Sequence, residues 1–246
     1  MLSRAHPRYE SLLLRDKIVK ASKEGYLAES AMIAHGRGEA FDYLLGEITT
    51  LPAKRAMYVT VALMILSENP VISVNGNTTA LAIDEITEFA KVIGAKIEIN
   101  LFYRTDERVK KITELFKSHG YPEILGSLDD EIMYINEIKN PRASASKNGI
   151  YSADTILVPL EDGDRAEILS RSGKNIITID LNPLSRTSKM SDVSIVDNVV
   201  RAIPFMTKIA GDLLTQDKEL LKEIIEDFDN KTNLDESLKL IKEGVK

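Results

Sequence analysis

The sequence predicts an α/β fold: a mostly parallel sheet with helices on both faces, a helical N-terminal segment before it and a short helical C-terminal tail after it. Three observations carry this. From Pro70 onward, short apolar runs alternate with longer stretches of helical periodicity, the order of strand–helix–strand units. The runs are apolar throughout, as in strands covered on both faces. Residues with useful chemistry collect where the runs end, at Asn75-Gly76-Asn77, Asn100 to Arg104, Glu161 to Asp164, Asp180 to Thr187 and Asp197-Asn198. Ligands bind beyond the carboxyl ends of the strands in open α/β sheets.

Taken in order, residues 7–22 read as a helix: Pro7 suits a first turn, and Tyr9, Leu12, Leu13 and Val19 recur at helical spacing. Arg8 and Arg15 share one side of it. A second helix is expected over 39–45, stopped by Gly46, and a third over 52–67, entered through Pro52. Val71–Val74 reads as a strand, followed by a helix at 79–93, a strand at 96–101 and a helix at 105–118. The polar stretch 127–150, with Pro141 and Gly149, reads mostly as a long loop, of the kind that serves function or acts as a lid. Strands at 155–159, 175–180 and 193–196 and helices at 163–172 and 199–215 complete the alternation. Leu220, Leu221, Ile224, Ile225 and Phe228 line one face of a tail read as two short helices, with capping-box spacing over Asn233–Glu236. The expected organisation is one α/β domain over 1–216, mainly helical to residue 68, and a charged helical tail over 217–246.

Composition removes several function classes. The net charge is −6 and half of it lies after residue 216, so there is no overall basic footprint for nucleic acid. Without cysteine there are no disulfides, thiol nucleophiles or thiolate metal sites, and a reducing cytoplasmic location is expected. The longest apolar run, Ala56–Leu66, is too short for a bilayer, and no signal-like N-terminal pattern is present. His6, His35 and His119 lie far apart and show no metal-ligand spacing.

The densest chemistry lies in Ile33–Glu47. There His35-Gly36-Arg37-Gly38 precedes an amphipathic helical pattern, the makings of an anion site at a helix start or of an ordinary loop turn. It is not the dinucleotide fingerprint, because Phe41 stands where the third glycine belongs. In Asp180-Leu181-Asn182-Pro183-Leu184-Ser185-Arg186-Thr187 the acid suits a ribose hydroxyl or adenine amine and Arg186-Thr187 suit phosphate; a capping turn is the alternative. Asp197-Asn198 reads as an N-cap. Arg104, Arg142 and Lys147 are either solvated or substrate-facing. Glu161-Asp162-Gly163-Asp164 caps its helix or holds magnesium through one or two carboxylates. There is no Walker lysine loop, kinase set or serine elbow. Catalysis by positioning and charge stabilisation is what these residues leave.

Five segments together resemble a known family. They are His6-Pro7-Arg8-Tyr9-Glu10-Ser11-Leu12-Leu13-Leu14-Arg15, Ala34–Leu44, Pro70–Asn77, Asn100–Thr105 and Asp180–Thr187. In order, from about His6 to Leu214, they are similar to the archaeal phosphopantothenate synthetases, the 4-phosphopantoate–β-alanine ligases of coenzyme A biosynthesis; the 127–147 loop matches poorly and the tail lies outside. The resemblance implies a homodimeric ligase of Rossmann-like fold. It would use ATP, with magnesium, to adenylate 4-phosphopantoate and then transfer the acyl group to β-alanine. It also implies that Arg15, Arg37, Asp180, Leu181, Asn182, Arg186, Thr187, Asn198 and Val199 bind ATP. His35, Arg37 and Arg104 are the expected catalytic residues: His35 to polarise a reacting oxygen or take the amine proton, and Arg104, Asn75 or the cations Arg142 and Lys147 to meet the substrate phosphate. No protein metal site, nucleic acid or membrane is expected. Two other functions fit the phosphate-binding residues: a nucleotide-sensing module that does not turn over, and an adenylyltransferase acting on a phosphate.

Overall fold

Five parallel strands carry the fold of a computed structural model that describes residues 4–6, 8–135 and 143–244. Pro7, Pro141 and Arg142 lie outside the described residues. The described helices are α1 (Tyr9–Lys23), α2 (Glu29–Leu44), α3 (Leu51–Leu66), α4 (Gly76–Ile93), α5 (Asp106–Ser118), α6 (Gly163–Ser170), α7 (Arg186–Met190), α8 (Val199–Leu213), α9 (Lys218–Glu226) and α10 (Asn230–Glu243). The described strands are β1 (Pro70–Val74), β2 (Lys96–Ile99), β3 (Ile132–Tyr134), β4 (Ser144–Ser146), β5 (Thr155–Pro159), β6 (Asn175–Ile179) and β7 (Val193–Ile195).

The sheet runs β2-β1-β5-β6-β7, with Val71 opposite Lys96 and Ile156, and Thr178 opposite Val158 and Ser194. The chain therefore leaves β1 toward one edge and β5 toward the other. This opens a crevice between their carboxyl ends, the switch point at which such sheets take ligands. Alternate residues explain the unbroken apolar runs. Ile72, Val74, Leu157, Ile177 and Ile179 face a core with Met57, Ile86, Phe89, Ile203 and Met206 from α3, α4 and α8. Val71, Ile156, Val158 and Ile176 face a smaller core with Leu169 of α6 and Ala145, Ile150 and Ala153.

Four expectations are corrected. The helix placed at 39–45 is the second half of α2, which begins ten residues earlier. Gly36-Arg37-Gly38 is therefore mid-helix, and neither glycine has a positive φ. Each glycine costs about 1 kcal/mol against alanine. Met32, Ile33, Ala34 and Ala40 are good or neutral helix formers, and tertiary contacts of Phe41, Asp42 and Leu45 supply the rest. The 127–150 segment is only partly loop, because β3 and β4 pair antiparallel, Met133 opposite Ala145. Buried Glu98 anchors them: its Oε1 accepts from Ser146 N at 3.0 Å and its Oε2 from Ile150 N at 2.6 Å. The short α7, capped by Ser185, was not expected from periodicity. Asn233 starts no helix; Asp229 caps α10, and Asn233 is buried inside it, donating to Ser194 O at 2.8 Å.

Two helices carry breaks beside the site. Ala82 has non-helical angles within α4, and Lys17 Nζ donates to the neighbouring Leu81 carbonyl at 3.2 Å. Pro204 in α8 has no N–H to give the Val200 carbonyl. The tail helices pack on α3 and β7, burying Leu221 and Leu234. Among the described residues no helix is long and apolar enough to cross a membrane.

Candidate functional site

Asn75 joins the two lips of the crevice. Its side chain caps α4 with reciprocal Thr78 bonds, while Nδ2 donates to Leu160 O at 3.0 Å and Pro159 O at 3.4 Å. Leu160 has φ of 55°, a left-handed conformation that costs a bulky residue roughly 1–3 kcal/mol. Such strain is typical of functional turns. Asn77 Oδ1 is buried at the start of α4 without a hydrogen-bond partner among the described residues.

Beyond β5, Asp162 caps α6 by accepting from Asp164 N and Arg165 N. Burial pushes the Glu161 carboxyl up to about 8, with Asp162 adding to the rise. Arg186 pairs with Asp164 and lies so close over Gly163 that any side chain there would strike it. Thr187 Oγ1 donates to Glu161 O at 3.1 Å, tying the turns after β5 and β6 together.

The Asp180 carboxylate is committed to its own turn. Oδ1 accepts from Asn182 N at 2.9 Å and Oδ2 from Ser185 Oγ, the arrangement of a capping turn. Burial raises its pKa. The Asn182 side chain accepts from Leu184 N at 2.9 Å. Leu181 packs with Phe41, Leu45 and Val196, and a Cβ on Gly38 would meet Leu181 Cδ1 at 3.6 Å. The α2 helix thus lies directly against the Asp180–Thr187 turn.

On its other flank α2 walls a cleft of about 1500 Å³ whose lining includes Arg15 of α1, His35 and Asp42 of α2, Leu81 of α4, and Asn198, Val200 and Arg201 around the start of α8. His35, Glu39 and Asp42 lie one turn apart on that flank. Arg15 Nε donates to Glu39 Oε2 at 3.0 Å. His35 Nε2 is buried 3.9 Å from the same oxygen, without a hydrogen-bond partner among the described residues. Burial lowers the His35 pKa, Glu39 opposes the fall and Arg15 adds to it, so the ring is neutral at pH 7.

At the cleft's inner end Arg201 bonds both Asp42 oxygens and, through Nε and Nη2, Asp197 Oδ1 at 2.9 and 2.6 Å. Burial would push this guanidinium down, but the bonds to Asp42 and the charge of Asp197 carry it above its usual value. Burial also raises Asp197, against Arg201 and Thr49. Asn198 caps α8 through Val200 N and donates to Asp42 Oδ2 at 2.8 Å. Val199 is buried in the first turn.

The structure thus brings Arg15, His35 and Asn198 to one cleft, and Asp180, Leu181, Asn182, Arg186 and Thr187 to the turn behind α2. Arg37 does not line the cleft; it is exposed, one turn before Phe41 and beside Gly38, toward the Leu181 flank. Arg104 reaches neither place, its Nη2 donating to Gly126 O at 2.8 Å and Ser127 O at 3.4 Å. Lys147 pairs with Glu131 on β3–β4's edge. Asp42 and Arg201 were not among the expected site residues. The spacing of Asp197 and Arg201 by one helical turn was their only local signal.

The family model described as phosphopantothenate/pantothenate synthetase matches residues 52–244. The chain belongs to the phosphopantothenate/pantothenate synthetase family. It is 49% identical over 243 residues to a 4-phosphopantoate–β-alanine ligase of Thermococcus onnurineus, covering 96% of this chain and 90% of the relative. The same figures hold for the ligase of that name from Thermococcus kodakarensis. Over 241 residues it is 50% identical to the Methanosarcina mazei ligase, covering 98% and 94%. The synthetase family match runs through α9 and α10, so the tail belongs to it, beyond Leu214 where the motif resemblance ends. Helices α1 and α2 precede that match, and the likeness to the Methanosarcina mazei ligase, which covers 98% of this chain, extends across them.

Proposed function

We propose that this chain catalyses the ATP-dependent condensation of 4-phosphopantoate with β-alanine, giving 4′-phosphopantothenate, AMP and pyrophosphate in the cytoplasmic synthesis of coenzyme A. The observation that carries this is the near full-length identity of about half to ligases of that name. The sheet's switch-point crevice and the cleft lined by Arg15, His35 and Asn198 supply the chemistry.

A carboxylate is a poor electrophile until one of its oxygens becomes a leaving group. In the first step a carboxylate oxygen of 4-phosphopantoate attacks the α-phosphorus of ATP and pyrophosphate departs. The β-alanine nitrogen then attacks the acyl carbon, the bond to the AMP oxygen breaks and a proton leaves the nitrogen. Charge builds on phosphorus oxygens in the first step, so fixed arginines lower that barrier without any protein nucleophile. Arg15, on the cleft flank of α2, serves the phosphates; Arg37 and Arg186-Thr187 lie across the helix from it, and the resemblance alone assigns them to the same phosphates. Asp180–Asn182 and Asn198-Val199 frame the nucleoside, Asp180 by shaping its turn more than by a free carboxylate. Neutral His35 is suited to accept the amine proton. Arg104 keeps Nε and Nη1 for the substrate phosphate.

The residues here do not form a magnesium cage. Asp162 is spent on its helix cap and Asp164 on Arg186, and burial disfavours the charged form of Glu161. Among the described residues no three His, Asp or Glu side chains gather to hold a metal. Magnesium would enter on the ATP phosphates. A homodimer is supported by the exposed apolar side chains Ile33, Ile48 and Leu51 on and after α2.

Turnover of 4-phosphopantoate labelled with ¹⁸O in its carboxylate tests the route. The adenylate places one ¹⁸O in the phosphate of AMP; unlabelled AMP would overturn it.

A further inference from the structure

Glu39 binds no substrate in the account above, yet it is the hub of the cleft's upper wall. Its side chain is largely buried between α1 and α2. Oε1 accepts from Ser11 Oγ at 2.9 Å, and Ser11 in turn accepts from Arg8 Nη2 at 3.2 Å. Oε2 accepts from Arg15 Nε at 3.0 Å and lies 3.9 Å from the unpartnered His35 Nε2. Arg15 uses only Nε for this contact. Its two terminal nitrogens, carrying four N–H groups, have no protein partner among the described residues, although the guanidinium lines the cleft.

We propose that Glu39 is a positioning residue for the nucleotide: it grips Arg15 by Nε, turns the free edge of the guanidinium to the phosphates, and keeps His35 beside that edge. This rests on the nucleotide reading above. A guanidinium presents two parallel N–H groups to an anion only when its plane is fixed. Arg15 stands on a long, partly exposed side chain. Unheld, it loses rotamer freedom on every binding event, and that cost weakens the nucleotide. The Ser11 bond to Oε1 ties the helices together without touching Arg15, so the two functions of the carboxylate are separable.

The test measures ATP affinity, and KM and kcat, for wild type, Glu39→Gln, Ser11→Ala, Arg15→Ala and the Arg15→Ala/Glu39→Gln double variant. Loss of a charge-assisted bond should raise the ATP dissociation constant about tenfold in Glu39→Gln and lower kcat/KM for ATP at least as much. Ser11→Ala should leave both unchanged. The double variant should bind no more weakly than Arg15→Ala, since Glu39 acts through Arg15. Proton NMR of the ring adds an independent readout: the His35 pKa should fall in Glu39→Gln and stay put in Ser11→Ala. Equal weakening by Ser11→Ala and Glu39→Gln would reduce Glu39 to a helix tie and overturn the proposal. So would wild-type affinity in Glu39→Gln while Arg15→Ala is weakened. Failure of the wild type to bind ATP at all would overturn the nucleotide reading together with it.

Discussion

Arg201 holds both carboxylate oxygens of Asp42, Nη2 to Oδ1 at 2.5 Å and Nη1 to Oδ2 at 3.1 Å, and so pins α2 to the start of α8 across 159 residues of sequence. Asp42 is almost wholly buried, and Asn198 adds a third bond to it. Removing Asp42 takes three charge-assisted hydrogen bonds from Arg201 and Asn198, although Asp197 still pairs with Arg201, at a cost of about 3 kcal/mol. For a chain of this size that is a fall in melting temperature of roughly 10 °C. Asp42→Ala should show it in thermal unfolding, with Asp42→Asn in between. An unchanged midpoint would mean that α2 is held by its apolar contacts to Leu181 and Val196 alone.

The turn behind α2 depends on the tail. Asn230 Nδ2 donates to Ser188 O at 3.1 Å and Ser191 O at 2.8 Å, while Oδ1 accepts from Ser194 N at 2.9 Å. Asn230→Ala orphans partly buried backbone groups of α7 and β7 and should cost about 2 kcal/mol in denaturant unfolding. Because α7 begins at Arg186, the KM for ATP should rise as well. Loss of stability with an unchanged KM would separate the tail from the site.

Burial pushes Glu98 up to about 7 and Glu161 to about 8 in the folded chain, against an ordinary carboxyl value near 4.3. Between roughly pH 4.5 and 8 the folded chain therefore binds more protons than the unfolded one at these sites, and stability falls as pH rises, by a few kcal/mol in all. His35, lowered by burial, works the other way below about pH 6.5. Melting temperature should therefore decline from pH 6.5 to 8, most steeply up to about pH 7 where both acids contribute, and Glu161→Gln should flatten the part above pH 7. A midpoint rising through that range would refute the buried state of these two acids.

The three arginines should divide by substrate. Arg15→Ala and Arg37→Ala are expected to raise the KM for ATP or lower kcat by tenfold or more; unfolding should be unchanged in Arg37→Ala, whose side chain is exposed, and slightly weakened in Arg15→Ala, which takes the guanidinium from Glu39. Arg104→Ala should raise the KM for 4-phosphopantoate and leave that for ATP alone. An Arg104→Ala enzyme with normal kinetics but lower stability would confine Arg104 to its carbonyl contacts with Gly126 and Ser127.

The sheet was legible because residues such as Ile72, Val74, Leu157 and Ile177 form short apolar runs that only a doubly covered strand uses. Strand ends followed from it, and with them Asp180, Arg186 and Asn198. The His35–Glu39 region was misread because two glycines around an arginine look like a loop; helix packing on Leu181 and the Arg201 pair outweigh the glycine cost, which local propensity cannot register. With Gly36 and Gly38 in α2 their N–H groups serve the helix, so phosphate binding there falls to side chains. The β3–β4 pair was hidden in polar sequence because Glu98, far away in the chain, anchors it. Asp42 with Arg201 is a contact of the same kind, set by tertiary structure and invisible to spacing.

Activation of a carboxylate by adenylation at this site fixes the products. Purified protein given ATP, magnesium, 4-phosphopantoate and β-alanine should form AMP and pyrophosphate, one of each per 4′-phosphopantothenate and only when both acid and amine are present. Formation of ADP and phosphate instead would contradict the account.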